Sequence, residues 1–201
     1  MGTIERKERE KLEMRNVILK AATEMFLQDG FEKTSIRGIA EKIEYSVGTI
    51  YIYFKDKTEL LNALMEQGFQ KMMGVFKELK KNEDPVVRLK KLGYAYVNFG
   101  LKNKEYYDLM FIMKKPMEMS EDKKWVSGMN AFNFLSETVS ACMQDNRLRF
   151  QDGNSANLAI WGFVHGLVAL YTRKRLIMFD QKRIEKDIYD AVNNLTDAIT
   201  K

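Results

Sequence analysis

The residues of this chain that could do chemistry are suited to recognition more than to turnover. His165 is the sole histidine and Cys142 the sole cysteine. One of each gives little from which to assemble a zinc cluster or a nucleophile–base pair. No catalytic residue, metal or cofactor is therefore expected, and the chain is expected not to be an enzyme. Polar side chains of another kind gather between residues 34 and 57: the hydroxyls of Thr34, Ser35, Ser46 and Thr49 and the ammonium groups of Lys55 and Lys57. Exposed hydroxyls and ammoniums suit phosphate oxygens, and short side chains at a helix start can approach base edges.

Short helices must position these groups. Val17, Ile18, Ala21, Ala22, Met25 and Phe26 recur at spacings of three and four, which predicts a helix over about 11–28 with one apolar face. Asp29-Gly30 supplies its stop. Thr34 or Ser35 is the expected N-cap of a second helix that buries Ile36, Ile39, Ala40 and Ile43. After Glu44-Tyr45, Ser46 is the expected cap of a third, over 47–54, with Val47, Ile50 and Phe54 as core positions. Ile52 either finishes that core or faces DNA sugars. Asp56 and Glu59 form a capping-box pattern that opens a long fourth helix. Two short helices joined by a tight turn behind a supporting helix make a helix-turn-helix, whose last helix fits the major groove. Gly38 inside the second helix reads as close packing against the first. Arg6, Lys7, Arg9 and Lys11 read as a solvated helix extension more than as a basic arm, because glutamates interleave with them.

Composition agrees with an all-helical chain. The 201 residues include only two prolines, are 45% hydrophobic and 30% charged, which allows a packed core and argues against disorder. The net charge of +5 is compatible with a polyanionic partner. From Met1 to Thr58 the basic residues exceed the acidic ones by only one, so binding there must rest on local placement. A single cysteine excludes an intrachain disulfide and suits a reducing cytoplasm. The polar N-terminus carries no apolar signal stretch, and the longest apolar run, 158–171, is too short to span a bilayer. A cytoplasmic protein without membrane attachment is expected.

The stretches Thr34-Ser35-Ile36-Arg37-Gly38-Ile39-Ala40 and Ser46-Val47-Gly48-Thr49-Ile50-Tyr51-Ile52-Tyr53-Phe54-Lys55-Asp56-Lys57-Thr58-Glu59-Leu60 strongly resemble the DNA-binding head of the TetR family of transcriptional regulators. The likeness runs from about Met14 to Met65, and Trp161, His165 and Gly166 carry a weaker one. It implies that Thr34 and Ser35 touch phosphate and that Arg37 reaches backbone or a nearby base edge. Ser46, Val47 and Thr49 would face the groove floor, and Gly48 would permit close approach. Tyr51 and Tyr53 would contact phosphate or base edges, while Lys55 and Lys57 hold flanking phosphates. The expected organisation is a helix-turn-helix head over 1–60, joined by a long helix to a helical ligand-binding and dimerisation body over 61–201.

Beyond the head, helices are expected over 85–102, opened by Asp84-Pro85, and over 104–114, 120–146, 154–177 and 181–199. The body is rich in methionine and aromatic residues. Taken as a group with the resemblance, Tyr96, Phe99, Met110, Met113, Trp125, Met129 and Phe132 are the expected lining of an apolar effector pocket. Asn98, Asn103, Asn133 or His165 would add polar recognition. The last two helices are the expected homodimer surface, through Trp161, Gly162, His165, Gly166 and Ala169 and the heptad-like Ile188, Val192 and Leu195. The expected function is repression of a near-palindromic operator, relieved by a small apolar effector. The alternative is a TetR-like DNA-binding protein controlled by a protein partner, with no small-molecule effector.

Overall fold

The computed structural model describes residues 3–79, 83–113 and 126–201. Every regular element among them is helical, apart from one isolated antiparallel bridge between Leu148 and Thr200. The elements are α1 (Thr3–Asp29), α2 (Ile36–Lys42), α3 (Val47–Tyr53), α4 (Lys57–Lys77), α5 (Pro85–Lys102) and α6 (Lys104–Tyr107). A π-helical turn (Asp108–Ile112) continues α6, and α7 (Val126–Gln144), α8 (Gly153–Thr172) and α9 (Ile184–Ile199) follow. No helix of the described residues is long and apolar enough to cross a membrane.

The chain packs as two compact units. The first comprises, among described residues, 3–68 and 105–113. Here α1 starts well before the predicted boundary, because Arg6–Glu10 and Arg9–Glu13 pairs at (i, i+4) support its polar first turns. It ends at Gly30, whose φ of +83° favours glycine. Ile18, Ala22 and Phe26 are buried, together with Ile39, Ala40, Ile50, Phe54, Leu60 and Leu61. Val17, expected on the buried face, is exposed. The Phe31 ring folds back to 5.4 Å from that of Phe26. A Cβ on Gly38 would stand 3.1 Å from Met25 Cε, so the bare backbone there is what lets α2 approach α1. Gly68 has the same role in α4: the side chains of Met110 and Tyr106 occupy the space a Cβ would need. The fourth helix is thus narrowed at this point by packing.

The second unit comprises, among described residues, 69–104 and 126–201. Asp84 caps α5 by accepting from the Val86 and Val87 amides at 2.9 and 3.1 Å. Those bonds hold its carboxyl below the ordinary carboxylate value. This helix is central and packs on α7, α8 and α9. Leu89, Val139, Cys142, Leu148, Ala156 and Ile160 form one buried cluster. Burial pushes the Cys142 thiol up to about 11. Contact between α5 and α9 is close because a Cβ on Gly93 would lie 2.9 Å from Val192 Cγ1.

That contact corrects the expectation for α9. Ile188 and Val192, placed on a dimer surface by their heptad-like spacing, are buried within the chain itself. One amphipathic helix has one apolar face, and α5 covers this one. Leu195 is half-buried. The helices predicted over 104–114 and 120–146 are seen as 104–112, with its last turn π-helical, and as 126–144. Residues 114 and 120–125, Trp125 among them, lie outside the described residues.

Candidate nucleic-acid interface and effector site

In the first unit, hydroxyl caps set the two short helices. Ser35 Oγ accepts the Gly38 amide at 3.0 Å and starts α2. Ser46 Oγ accepts the Thr49 amide at 3.1 Å and lies 2.9 Å from Thr49 Oγ1, which starts α3. Between them Glu44 adopts φ +60° and turns the chain. The inward side chains of α3 are Ile50 and, at its C-cap, Phe54, both buried. Its outward ones are Gly48, Tyr51 and Ile52, the last two 55% and 73% exposed. A Cβ on Gly48 would touch only Ser46 Oγ, at 3.6 Å, so this surface is bare enough for close approach. Val47, Thr49 and Tyr53 are half-buried. Ile52 therefore does not finish the head's core. Tyr45, just before the Ser46 cap, is also exposed. Sequence reading passed over Tyr45 because a break residue carries no periodic signal.

Two expected phosphate contacts have other work in the structure. Thr34 is 2% exposed, and its hydroxyl donates to the Gly30 carbonyl at 2.9 Å, closing the turn after α1. Lys57 Nζ donates to the carbonyls of Phe31 at 2.6 Å and Glu32 at 3.3 Å, and sits 4.4 Å above the Phe31 ring. A half-buried ammonium held this way braces the start of α4 to the loop after α1. Asp56 completes the junction by accepting the Glu59 amide at 2.8 Å, while Glu59 accepts the Lys55 amide. This reciprocal cap leaves the Lys55 side chain exposed. Arg37 is exposed and paired with Glu41 at 2.9 Å, a weak surface pair that a phosphate can displace.

In the second unit, the Tyr96 hydroxyl lies 3.2 Å from His165 Nδ1 and 3.4 Å from Trp161 Nε1. Indole N–H only donates, so Tyr96 accepts from Trp161, and the tautomer of His165 sets which partner donates in the Tyr96–His165 bond. Trp161 and His165, expected at a dimer surface, thus face α5. The Phe132 ring stands edge-on to Trp161 at 6.3 Å. Of the expected pocket lining, Tyr96 and Phe99 are buried on α5, while Met129 and Phe132 are exposed on α7. Met110 is buried and Met113 half-buried in the first unit. Sequence reading missed an open cleft of about 520 Å³ lined by Leu79, Lys91, Tyr94, Ala95, Asn98 and Tyr189. The spacing 91, 94, 95, 98 on α5 was its only sequence trace.

Burial pushes the His165 imidazole below its ordinary value of 6.5. The unfolded chain then binds a proton that the folded chain resists, so stability falls with pH below the unfolded value. The contribution is fully present above pH 6.5 and is lost as pH drops through the window beneath it. His165→Gln is expected to lose less melting temperature than wild type between pH 7.5 and about pH 5. Equal losses would assign the acid sensitivity to other groups.

A helix-turn-helix with a bare outward face, followed by a helical body, is the arrangement of a DNA-binding regulator. The model described as "Bacterial regulatory proteins, tetR family" matches residues 18–64, and that described as "Tetracyclin repressor-like, C-terminal domain" matches 89–192, over half the chain. The HTH-type transcriptional regulator YuxN of Bacillus subtilis (strain 168) is 31% identical over 105 residues, 51% of this chain and 34% of the relative. The HTH-type transcriptional regulator SAB2452 of Staphylococcus aureus (strain bovine RF122 / ET3-1) is 27% identical over 97 residues, 48% of this chain and 52% of the relative. The chain thus spans between a third and a half of the length of these relatives. Among solved structures, the ketosteroid transcriptional regulator KstR2 of Mycobacterium tuberculosis matches with TM-score 0.75 at 15% identity, covering 94% of this chain and 95% of that one. The fatty acid degradation regulator FadR from Bacillus halodurans matches with TM-score 0.70 at 17% identity, covering 89% and 93%. The chain belongs to the TetR family of bacterial transcriptional regulators.

Proposed function

We propose that this protein is a ligand-responsive cytoplasmic repressor that binds a near-palindromic operator as a homodimer and leaves it when a small, largely apolar effector enters the body. The observation that carries the DNA contact is α3, anchored by Ile50 and Phe54 while Gly48, Tyr51 and Ile52 face outward. Tyr51 and Ile52 read base edges and thymine methyl groups, Ser46 and Thr49 border them, and Lys55, Arg37 and Ser35 take flanking phosphates. A dimer sets two such helices in successive major grooves, about 34–36 Å apart. Lys57 and Thr34 hold the head together. By role the head spans 1–60 and the body 61–201, while by packing the compact unit of the head extends to Gly68 and takes in residues 105–113.

The dimer face is assigned to α8. Leu158, Gly162, Gly166 and Leu170 fall at four-residue spacing on one stripe, with Leu158 69% exposed and open space above both glycines. Bare glycines let a partner helix approach closely, and Ala169 beside them is small. The effector prefers a conformation whose heads no longer match the operator, and by reciprocity DNA weakens effector binding.

Selection of bound sequences from random duplexes, then titration against salt, tests this reading. A palindrome with a steep salt slope is expected. Lys55→Ala should reduce that slope by about one and weaken all sequences alike. Tyr51→Ala should relax sequence preference. Both should melt like wild type, whereas Lys57→Ala should melt lower. Unchanged affinity in Lys55→Ala and Tyr51→Ala would remove the assignment of this face to DNA.

A further inference from the structure

Asn157 on α8 is 5% exposed, and its amide nitrogen donates to Ser136 Oγ on α7 at 3.2 Å. Its carbonyl oxygen is also buried, yet it has no hydrogen-bond partner. A buried acceptor left without a donor is costly, and native proteins seldom keep one without a use for it. The position of this oxygen is informative. Asn157, Trp161 and His165 follow one another at four-residue spacing, so they lie along one stripe of α8. Further along the stripe, the Trp161–Tyr96–His165 chain satisfies its own polar groups. Trp161 and His165 are half-buried and Phe132 beside them is exposed, so the stripe opens to one side.

We propose that the effector is a neutral molecule with an apolar body and a hydroxyl or N–H group, and that this group donates a hydrogen bond to Asn157 Oδ1 while the body lies against Trp161 and Phe132. This rests on the reading that an effector binds the body. Asparagine, serine, tyrosine and tryptophan carry no charge, and burial favours the neutral imidazole of His165 on the same stripe. A carboxylate or phosphate would set an anionic oxygen against an acceptor oxygen in a poorly hydrated seam, which is unfavourable without a counter-charge. An alcohol satisfies the acceptor and leaves its chain in apolar contact. An ether of the same length offers no donor and leaves Asn157 unsatisfied.

Thermal stabilisation of the full chain by dodecan-1-ol, dodecanoate and dodecyl methyl ether tests the proposal. In wild type the alcohol is expected to bind about tenfold or more tightly than the other two. Asn157→Leu, which removes the orphaned oxygen at similar volume, should abolish that preference and leave ether binding unchanged. The comparison of three ligands on wild type does not depend on the variant folding. Dodecanoate or the ether binding as tightly as the alcohol in wild type overturns the proposal while the body still binds an effector. An undiminished alcohol preference in Asn157→Leu also overturns it, and would leave a structural water as the partner of Asn157. No stabilisation by any of the three removes the apolar-effector reading itself, and this proposal with it.

Discussion

Phe54→Ala should destabilise the protein by about 3–5 kcal/mol, the range for deleting a fully buried phenyl ring. Phe54 is the C-cap of α3, held in extended conformation with its amide donating to Ile50 O at 3.0 Å. Its ring is buried, with the Arg15 guanidinium 5.0 Å above it. Truncation would leave a cavity where α3 hands over to α4 and would strip Arg15 of its cation–π contact. Ile50, on the same inward face, would lose its neighbour, so operator binding should fail together with stability. Phe54→Leu fills most of the space and should cost less. Urea titration followed by circular dichroism measures both variants, and a loss below about 1 kcal/mol for Phe54→Ala would mean that the site collapses on the cavity.

Gly68→Leu is expected to cost about 1–3 kcal/mol, the usual range for overpacking, with the clash here placing it at the upper end. A Cβ at Gly68 would clash with the Met110 sulfur, and Tyr106 Cδ1 would stand 3.1 Å from it. Met110 is buried and has no solvent side to retreat to. The adjacent Tyr106–Gln67 hydrogen bond, 3.2 Å long, would be pushed apart by the same displacement. Gly68→Ala brings two opposed effects: alanine favours a helix interior by about 1 kcal/mol over glycine, while its methyl group displaces the Met110 thioether. It should therefore cost much less than leucine. Chemical denaturation of the pair checks the order, and a Gly68→Leu variant as stable as Gly68→Ala would show that Met110 yields freely.

What the sequence made legible was local. Ser35, Ser46, Asp56 and Asp84 are caps whose partners lie two to three residues away, and Gly30 stops α1 through its own φ. Gly38 could be read as a packing residue because glycine is otherwise unfavourable inside a helix. Tertiary partners decided the rest. Lys57 looks like a phosphate contact until the Phe31 and Glu32 carbonyls, 26 and 25 residues away, are placed beside it. Thr34 and Ser35 are equivalent caps on paper, and only the Gly30 carbonyl separates their roles. Ile188 and Val192 show an apolar stripe, but a stripe does not say whether a neighbour in the same chain or a second copy covers it. Tyr96 and His165 meet across 69 residues, and no periodicity relates them.

The π-helical turn at Asp108–Ile112 bears on how this chain tolerates insertion and deletion. Its closing bond runs from the Met113 amide to the Asp108 carbonyl, five residues back. Such a turn is an α-helix carrying one residue too many, so removing one residue there would restore regular winding without breaking the helix. The side of Met110 on which the residue is lost decides the outcome. Lost after Met110, the thioether stays under Gly68; lost before it, Met110 swings by about 100° around the axis and the narrowed point of α4 faces a different side chain. Length variation among relatives should therefore be accepted on the C-terminal side of Met110 and rejected on the N-terminal side.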